Sequence, residues 1–175
     1  MRRQQCLSVE WYTPPLVIEK VRRVFDGEIT TDPASCSEAQ KTVKALMYYD
    51  LASNGLHHSW WGNVWLNPPY GGLQVPFIQK LAEEFRSGRV TQAITCLNPG
   101  ALSYKWFEPL LEIASAHAVW PGRINFYQPG RDPNHGSPNK GTIFHYVGPN
   151  VERFATEFGD RCTMAYADTA GLHLS

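Results

Sequence analysis

The chain has 175 residues, of which 43% are apolar, 13% aromatic and 18% charged, a balance that suits one domain spanning 1–175 and leaves little room for a second. It excludes a disordered chain, and 14 Gly and 13 Pro scattered without period exclude a collagen-like one. Formal net charge is zero, which argues against coating nucleic acid by bulk charge. The charge is nonetheless segregated: residues 1–25 sum to +3, 26–85 to −4, 86–145 to +3 and 146–175 to −2. Such segregation permits an anionic partner on one face. No apolar stretch approaches the roughly 18 residues of a membrane helix, and the start Met1-Arg2-Arg3 lacks a signal peptide's apolar core. The expectation is a cytoplasmic protein with no membrane partner. Cys6, Cys36, Cys96 and Cys162 show no C-x-x-C pairing and no histidines at zinc-ligand intervals, so they read as reduced thiols and no metal is expected.

In chain order, Thr13-Pro14-Pro15 precedes apolar residues at helical spacing (Val17, Ile18, Val21, Val24, Phe25), predicting a helix from about Pro15 to Phe25. Glu28–Thr31 reads as a strand ended by Asp32-Pro33-Ala34-Ser35. A second helix follows to about Leu46, opened by the capping box Ser37-x-x-Gln40. Tyr48-Tyr49-Asp50 closes a short strand, and Asn54-Gly55 marks a turn before His57, His58, Trp60 and Trp61. Asn63–Leu66 reads as a buried strand stopped by Asn67-Pro68-Pro69-Tyr70, and Pro76 opens a helix that ends at Gly88. Further along, the pattern predicts a strand at Val90–Leu97, a helix at Tyr104–Ala114 interrupted near Pro109, and a strand at Ala116–Trp120. After a loop at Gln128–Lys140 come a strand at Gly141–Val147, a helix at Val151–Phe158 and a last strand at Arg161–Tyr166. Alternating strands and helices predict an α/β fold, a mostly parallel, doubly wound Rossmann-like sheet with helices on both faces and ligands at its carboxyl edge.

Asn67-Pro68-Pro69-Tyr70 falls at that edge, and its residue types suit one reaction. An amino group on a conjugated ring or carbonyl is a poor nucleophile because its lone pair is delocalised. Two acceptors aimed at its two hydrogens, the Asn67 side-chain oxygen and the Pro68 carbonyl, favour charge developing on nitrogen as it attacks an electrophile. Pro68 and Pro69 hold these acceptors rigid, and Tyr70 offers a face on which a flipped base can stack. The same physics serves an amino group in RNA or a glutamine amide. A rigid strand-ending turn in a non-catalytic DNA- or nucleotide-binding module is the rival reading. Trp60, Trp61, Trp65, Trp106 and Trp120 are read as core and His57 and His58 as loop residues.

Trp11-Tyr12-Thr13-Pro14-Pro15, Asp32-Pro33-Ala34-Ser35, Gln40-Lys41-Thr42-Val43-Lys44-Ala45, Gly55-Leu56, Trp65–Tyr70 and Gly122-Arg123-Ile124-Asn125-Phe126 occur in that order. Together they resemble the small, phage-type DNA adenine-N6 methyltransferases (Dam-like), over residues 11–148. The resemblance implies a class I methyltransferase fold, S-adenosylmethionine as methyl donor, and a flipped adenine in DNA, expected to be double-stranded, as acceptor. It assigns Asn67, Pro68, Pro69 and Tyr70 to catalysis. Trp11, Tyr12, Thr13 and Pro14 fall to the motif that meets the donor's methionine carboxylate, Asp32, Pro33, Ala34 and Ser35 to the cradle of its methionine part, and Asn54 to the adenine of the donor; Asp50 is a candidate ribose ligand by the logic that places an acid on ribose in nucleotide sites. Asn54 stands where the family commonly has an acidic residue, and the glycine-rich loop of class I methyltransferases is missing after Asp32. Arg123, Arg131, His135 and Lys140 are candidate phosphate contacts. With no separate target-recognition domain expected, Gln128–Lys140, joined by Gly71–Val75, is the candidate sequence reader. The expected assembly is a monomer or weak homodimer.

Overall fold

Along the third strand Trp65 points to one side of the sheet while Val64 and Leu66 point to the other, and this alternation sets the architecture. The structure is a computed structural model that describes residues 11–128 and 141–167, with the backbone alone for residues 71, 101 and 102. Seven strands form one sheet in the order β2-β1-β3-β4-β6-β5-β7: β1 Thr31–Asp32, β2 Met47–Tyr48, β3 Gly62–Leu66, β4 Val90–Leu97, β5 Ala116–Trp120, β6 Thr142–Val147 and β7 Thr163–Tyr166. Five helices flank it: α1 Pro15–Val24, α2 Gln40–Val43, α3 Gln74–Arg86, α4 Glu108–Leu111 and α5 Val151–Gly159. The α/β fold with helices on both faces is as the alternating pattern predicts. The half made of β2, β1, β3 and β4 is parallel, whereas β6 runs antiparallel to both β4 and β5, and β7 antiparallel to β5. The sheet is therefore mixed, and the carboxyl ends of β1 to β5 share one edge.

One core packs α1 and α5 on Trp65, Ile94, Cys96, Ala116, Ala118, Phe144 and Tyr146. The other packs α3 and α4 on Val64, Leu66, Ala93, Leu97, Ile143 and Val147. Inside the first, the Phe158 ring meets Phe144 at 5.0 Å and Phe154 at 4.8 Å between centroids, a geometry aromatic rings favour. The Lys20 ammonium of α1 is buried, and donates to the Glu157 carbonyl at 2.6 Å and to Asp160 Oδ1 at 2.7 Å, so α1 and α5 are also tied by polar groups. Among the described residues no helix is long and apolar enough to cross a membrane, and Cys36, Cys96 and Cys162 are free thiols.

Three local expectations need correction. The second helix runs only over Gln40–Val43, with Ala39 rather than Ser37 as its N-cap. The capping box fails because Gln40 turns its side chain away from the helix start, and Lys44, at φ 48°, ends the helix before Leu46. The helix expected over Tyr104–Ala114 is a 3-10 turn at Lys105–Phe107 followed by α4, with Pro109 in the first turn of α4, where its missing N–H costs nothing. Trp61 is half exposed while Trp60 is buried, because the backbone around Trp61 is held by Thr31, whose hydroxyl donates to the Trp61 carbonyl at 2.9 Å. Phe158→Ala is expected to destabilise the protein by about 3–5 kcal/mol, read as a lower denaturant midpoint with an unchanged slope.

Candidate functional site

β3 ends at Leu66, paired with Thr95 of β4, and Asn67-Pro68-Pro69-Tyr70 leaves the sheet at its carboxyl edge as the pattern predicts. Asn67 is half-buried and its Nδ2 donates to Thr13 Oγ1 at 3.2 Å. That bond turns the amide so that Oδ1 faces away from Thr13, and among the described residues no donor engages it. Pro68 is buried, Pro69 and Tyr70 are exposed. Burial, with a contribution from Cys96, pushes the Tyr70 hydroxyl up to about 12, so it stays neutral and offers a ring face rather than a base.

Trp11 to Pro14 lie beside this corner. Thr13 and Tyr12 are buried, Trp11 and Pro14 half-buried. Tyr12 exchanges backbone hydrogen bonds with Tyr127, at 2.9 and 3.1 Å, and its hydroxyl accepts from Cys36 Sγ at 3.5 Å. The segment is thereby strapped between the chain following β5 and the turn following β1. The Pro14 carbonyl caps α1 by accepting from the Val17 and Ile18 amides.

Asp32, at the carboxyl end of β1, is 2% exposed. Its Oδ2 accepts from Gln40 Nε2 at 2.8 Å, while its Oδ1 is buried with no partner. Loss of water raises its pKa to about 7 against the opposing hydrogen bonds of Ser35, Ala34 and Gln40. Pro33 is buried, Ala34 and Ser35 half-buried, and the Ser35 amide donates to the Tyr49 carbonyl at 2.8 Å. A buried carboxylate oxygen without a donor is the kind of group an ammonium satisfies.

Asp50 and Asn54 sit at the far end of the same edge, and both are engaged locally. Asp50 Oδ1 accepts from the Ser53 amide and hydroxyl, each at 2.8 Å, which lowers its pKa. Asn54, at φ 50°, uses its Oδ1 to cap the following 3-10 turn through the Leu56 amide at 3.2 Å. Asn tolerates this left-handed backbone well.

Sequence reasoning missed the reach of Gly55. A Cβ there would lie 2.0 Å from the Pro33 carbonyl oxygen, so the turn after Tyr49 presses directly on the turn after Asp32. Trp60, fully buried, braces it by donating from Nε1 to the Gly55 carbonyl at 2.8 Å. The close backbone approach sought in a glycine-rich loop is thus made from the opposite side, by one glycine in the next loop. The signals at this position were the Asn54-Gly55 pair, which reads as an ordinary turn, and the Gly55-Leu56 motif, neither of which shows what Gly55 packs against. Gln40, read as a helix cap, was missed in the same way.

Of the candidate phosphate contacts, Arg123 is exposed in the turn after β5, on the same edge as Asn67. In the segment after it, Ile124 and Phe126 point into the core while Asn125 is exposed. Arg131, His135 and Lys140 lie outside the described residues, as does most of the candidate reader loop. Gly71–Leu73 forms a 3-10 turn leading into α3. His57 and His58 are exposed, His58 stacking on Tyr49 at 4.4 Å. Among the described residues no group of His, Cys, Asp or Glu is arranged to hold a metal ion.

No curated protein matches the chain. The family model described as DNA N-6-adenine-methyltransferase (Dam) matches residues 4–161, a span that holds every described strand but β7 and every residue of the edge described above. The chain belongs to the DNA N-6-adenine-methyltransferase (Dam) family.

Proposed function

We propose that the protein transfers a methyl group from S-adenosylmethionine to the exocyclic N6 amino group of an adenine flipped out of duplex DNA, at Asn67-Pro68-Pro69-Tyr70. The observation that carries the reading is the orientation of Asn67: Thr13 takes its amide hydrogen, which leaves the oxygen for a substrate amino group. S-adenosylmethionine, when bound, supplies a methyl group made electrophilic by its sulfonium. Asn67 Oδ1 and the Pro68 carbonyl would accept the two N6 hydrogens, localising the lone pair that forms the N–C bond while the methyl–sulfur bond breaks, its electron pair staying on sulfur and S-adenosylhomocysteine leaving as a neutral thioether. The cation that develops on N6 needs no strong base, since it loses a proton to water once charged. Tyr70 gives the base a ring to stack on. Arg123 supplies a phosphate contact on the same edge.

The donor's methionine part fits beside Asp32, whose open Oδ1 lacks a cationic partner. Trp11 to Pro14 close the cradle from the Asn67 side, and Pro33 to Ser35 form its floor. The carboxylate-to-ammonium contact sets a pH dependence. With a folded-state pKa of about 7 and an unfolded one near 3.8, Asp32 favours the donor-free fold fully at low pH. That contribution is lost as pH rises toward 7. Donor binding runs the other way, because only the ionised form attracts the ammonium.

Asn67→Ala is expected to lower methyl transfer by about 10²–10³-fold with donor affinity kept, measured as label passing from S-adenosylmethionine into duplex DNA. Parallel reactions with RNA and protein distinguish acceptors, and label there in place of adenine overturns the reading. Donor affinity should fall as pH drops below about 7. Asp32→Asn is expected to weaken donor binding and flatten that dependence, while raising the unfolding temperature of the donor-free protein at pH above about 8. Calorimetry and thermal unfolding across pH check both.

A further inference from the structure

The turn that follows Asp32 has no glycine-rich loop, yet one side chain orders it. Gln40 Nε2 donates to Asp32 Oδ2 and to Ser35 Oγ, both at 2.8 Å. Gln40 Oε1 accepts from the Ala45 amide at 2.8 Å. The carboxamide therefore joins the end of β1, the turn and the chain beyond α2, and both of its polar atoms are used. A carboxylate can present either oxygen by rotating about its last bond. The Gln40 bond decides which oxygen is held and which stays open, and the open one is buried and unpartnered.

We propose that Gln40 is a positioning residue for the donor, fixing the Asp32 carboxylate with Oδ1 alone presented to the donor's ammonium and doing the ordering that a glycine-rich loop does in other class I methyltransferases. This rests on the reading of Asp32 as a donor ligand. The groups acting on Asp32 are the Ser35 hydroxyl, the Ala34 amide and the Gln40 carboxamide, and among the described residues no charged side chain of any neighbouring element shifts it. Gln40 is the third of these after Ser35 and Ala34, so a change there moves the ionisation in part, and more strongly when it brings in a charge.

Gln40→Glu isolates the effect: it keeps an acceptor for the Ala45 amide but replaces the donor on Asp32 with a second carboxylate oxygen. Gln40→Ala, which deletes the contact outright, carries the test if the Glu variant does not fold. Binding of S-adenosylmethionine is measured by calorimetry between about pH 5 and pH 9, with thermal unfolding of the donor-free proteins in parallel. The expected result is a Kd raised about tenfold to a hundredfold at neutral to mildly alkaline pH. The acid limb of binding should also move upward, by about one pH unit or more in Gln40→Glu and by less in Gln40→Ala. Wild-type affinity and an unmoved acid limb in both variants overturn the proposal, as does a change confined to the unfolding temperature. If the wild-type protein itself binds no S-adenosylmethionine, the reading of Asp32 fails and the role of Gln40 with it. Wild-type binding with indifferent variants overturns the role of Gln40 alone.

Discussion

A carboxyl group taken out of water with one oxygen unpaired is costly, and several contacts of the carboxyl edge gather around it. Asp32 is buried at the end of β1, its Oδ2 bonded and its Oδ1 bare. Leaving a buried acceptor unmade costs about 1–3 kcal/mol, more if it is charged. In the proposed function Oδ1 is the position taken by the donor's ammonium. Everything near it keeps the position stiff: the Gly55 turn against Pro33, Trp60 behind Gly55, and Cys36 against the Tyr12 hydroxyl. Rigidity of that kind lets a charged group serve binding with little reorganisation.

The two halves of the sheet divide the work. The parallel half brings Asp32 and Asn67 to one edge as the ends of neighbouring strands, the place where open α/β sheets hold ligands. The antiparallel half carries much of the aromatic packing, with Phe144, Tyr146, Phe154 and Phe158 stacked on α1 and Trp65. Strong anchoring on that side allows the edge to keep half-exposed groups such as Tyr70 without loosening the fold. The Thr13 to Asn67 bond ties the segment before α1 to the corner after β3. Two segments far apart in sequence thereby form one site.

Much of this was legible in the chain, and the parts that were not have physical reasons. Strands β4, β5 and β6 match their expected ranges closely because short apolar-rich runs closed soon after by Gly or Pro leave few alternatives. The Asn67 corner was legible because two prolines can follow a strand only by ending it. Strand direction beyond β4 was not, since periodicity reports which faces are buried and says nothing about which neighbour is antiparallel. The capping box at Ser37 misled because a local pattern competed with a tertiary one. Gln40 satisfies a buried carboxylate and a hydroxyl, which outweighs a helix-start bond exposed to water. The turn at Asn54-Gly55 was legible, but not that the Asn54 side chain caps it through Leu56, since a sequence pattern marks a turn without showing where its side chain bonds.

The most direct test of the account is a crystal structure of the protein with S-adenosylhomocysteine and a duplex containing an extruded adenine. The account predicts the adenine amino group within hydrogen-bond distance of both Asn67 Oδ1 and the Pro68 carbonyl, with the amino-acid ammonium of the cofactor product against Asp32 Oδ1. An adenine seated elsewhere, or Asp32 left facing no cation, would contradict it.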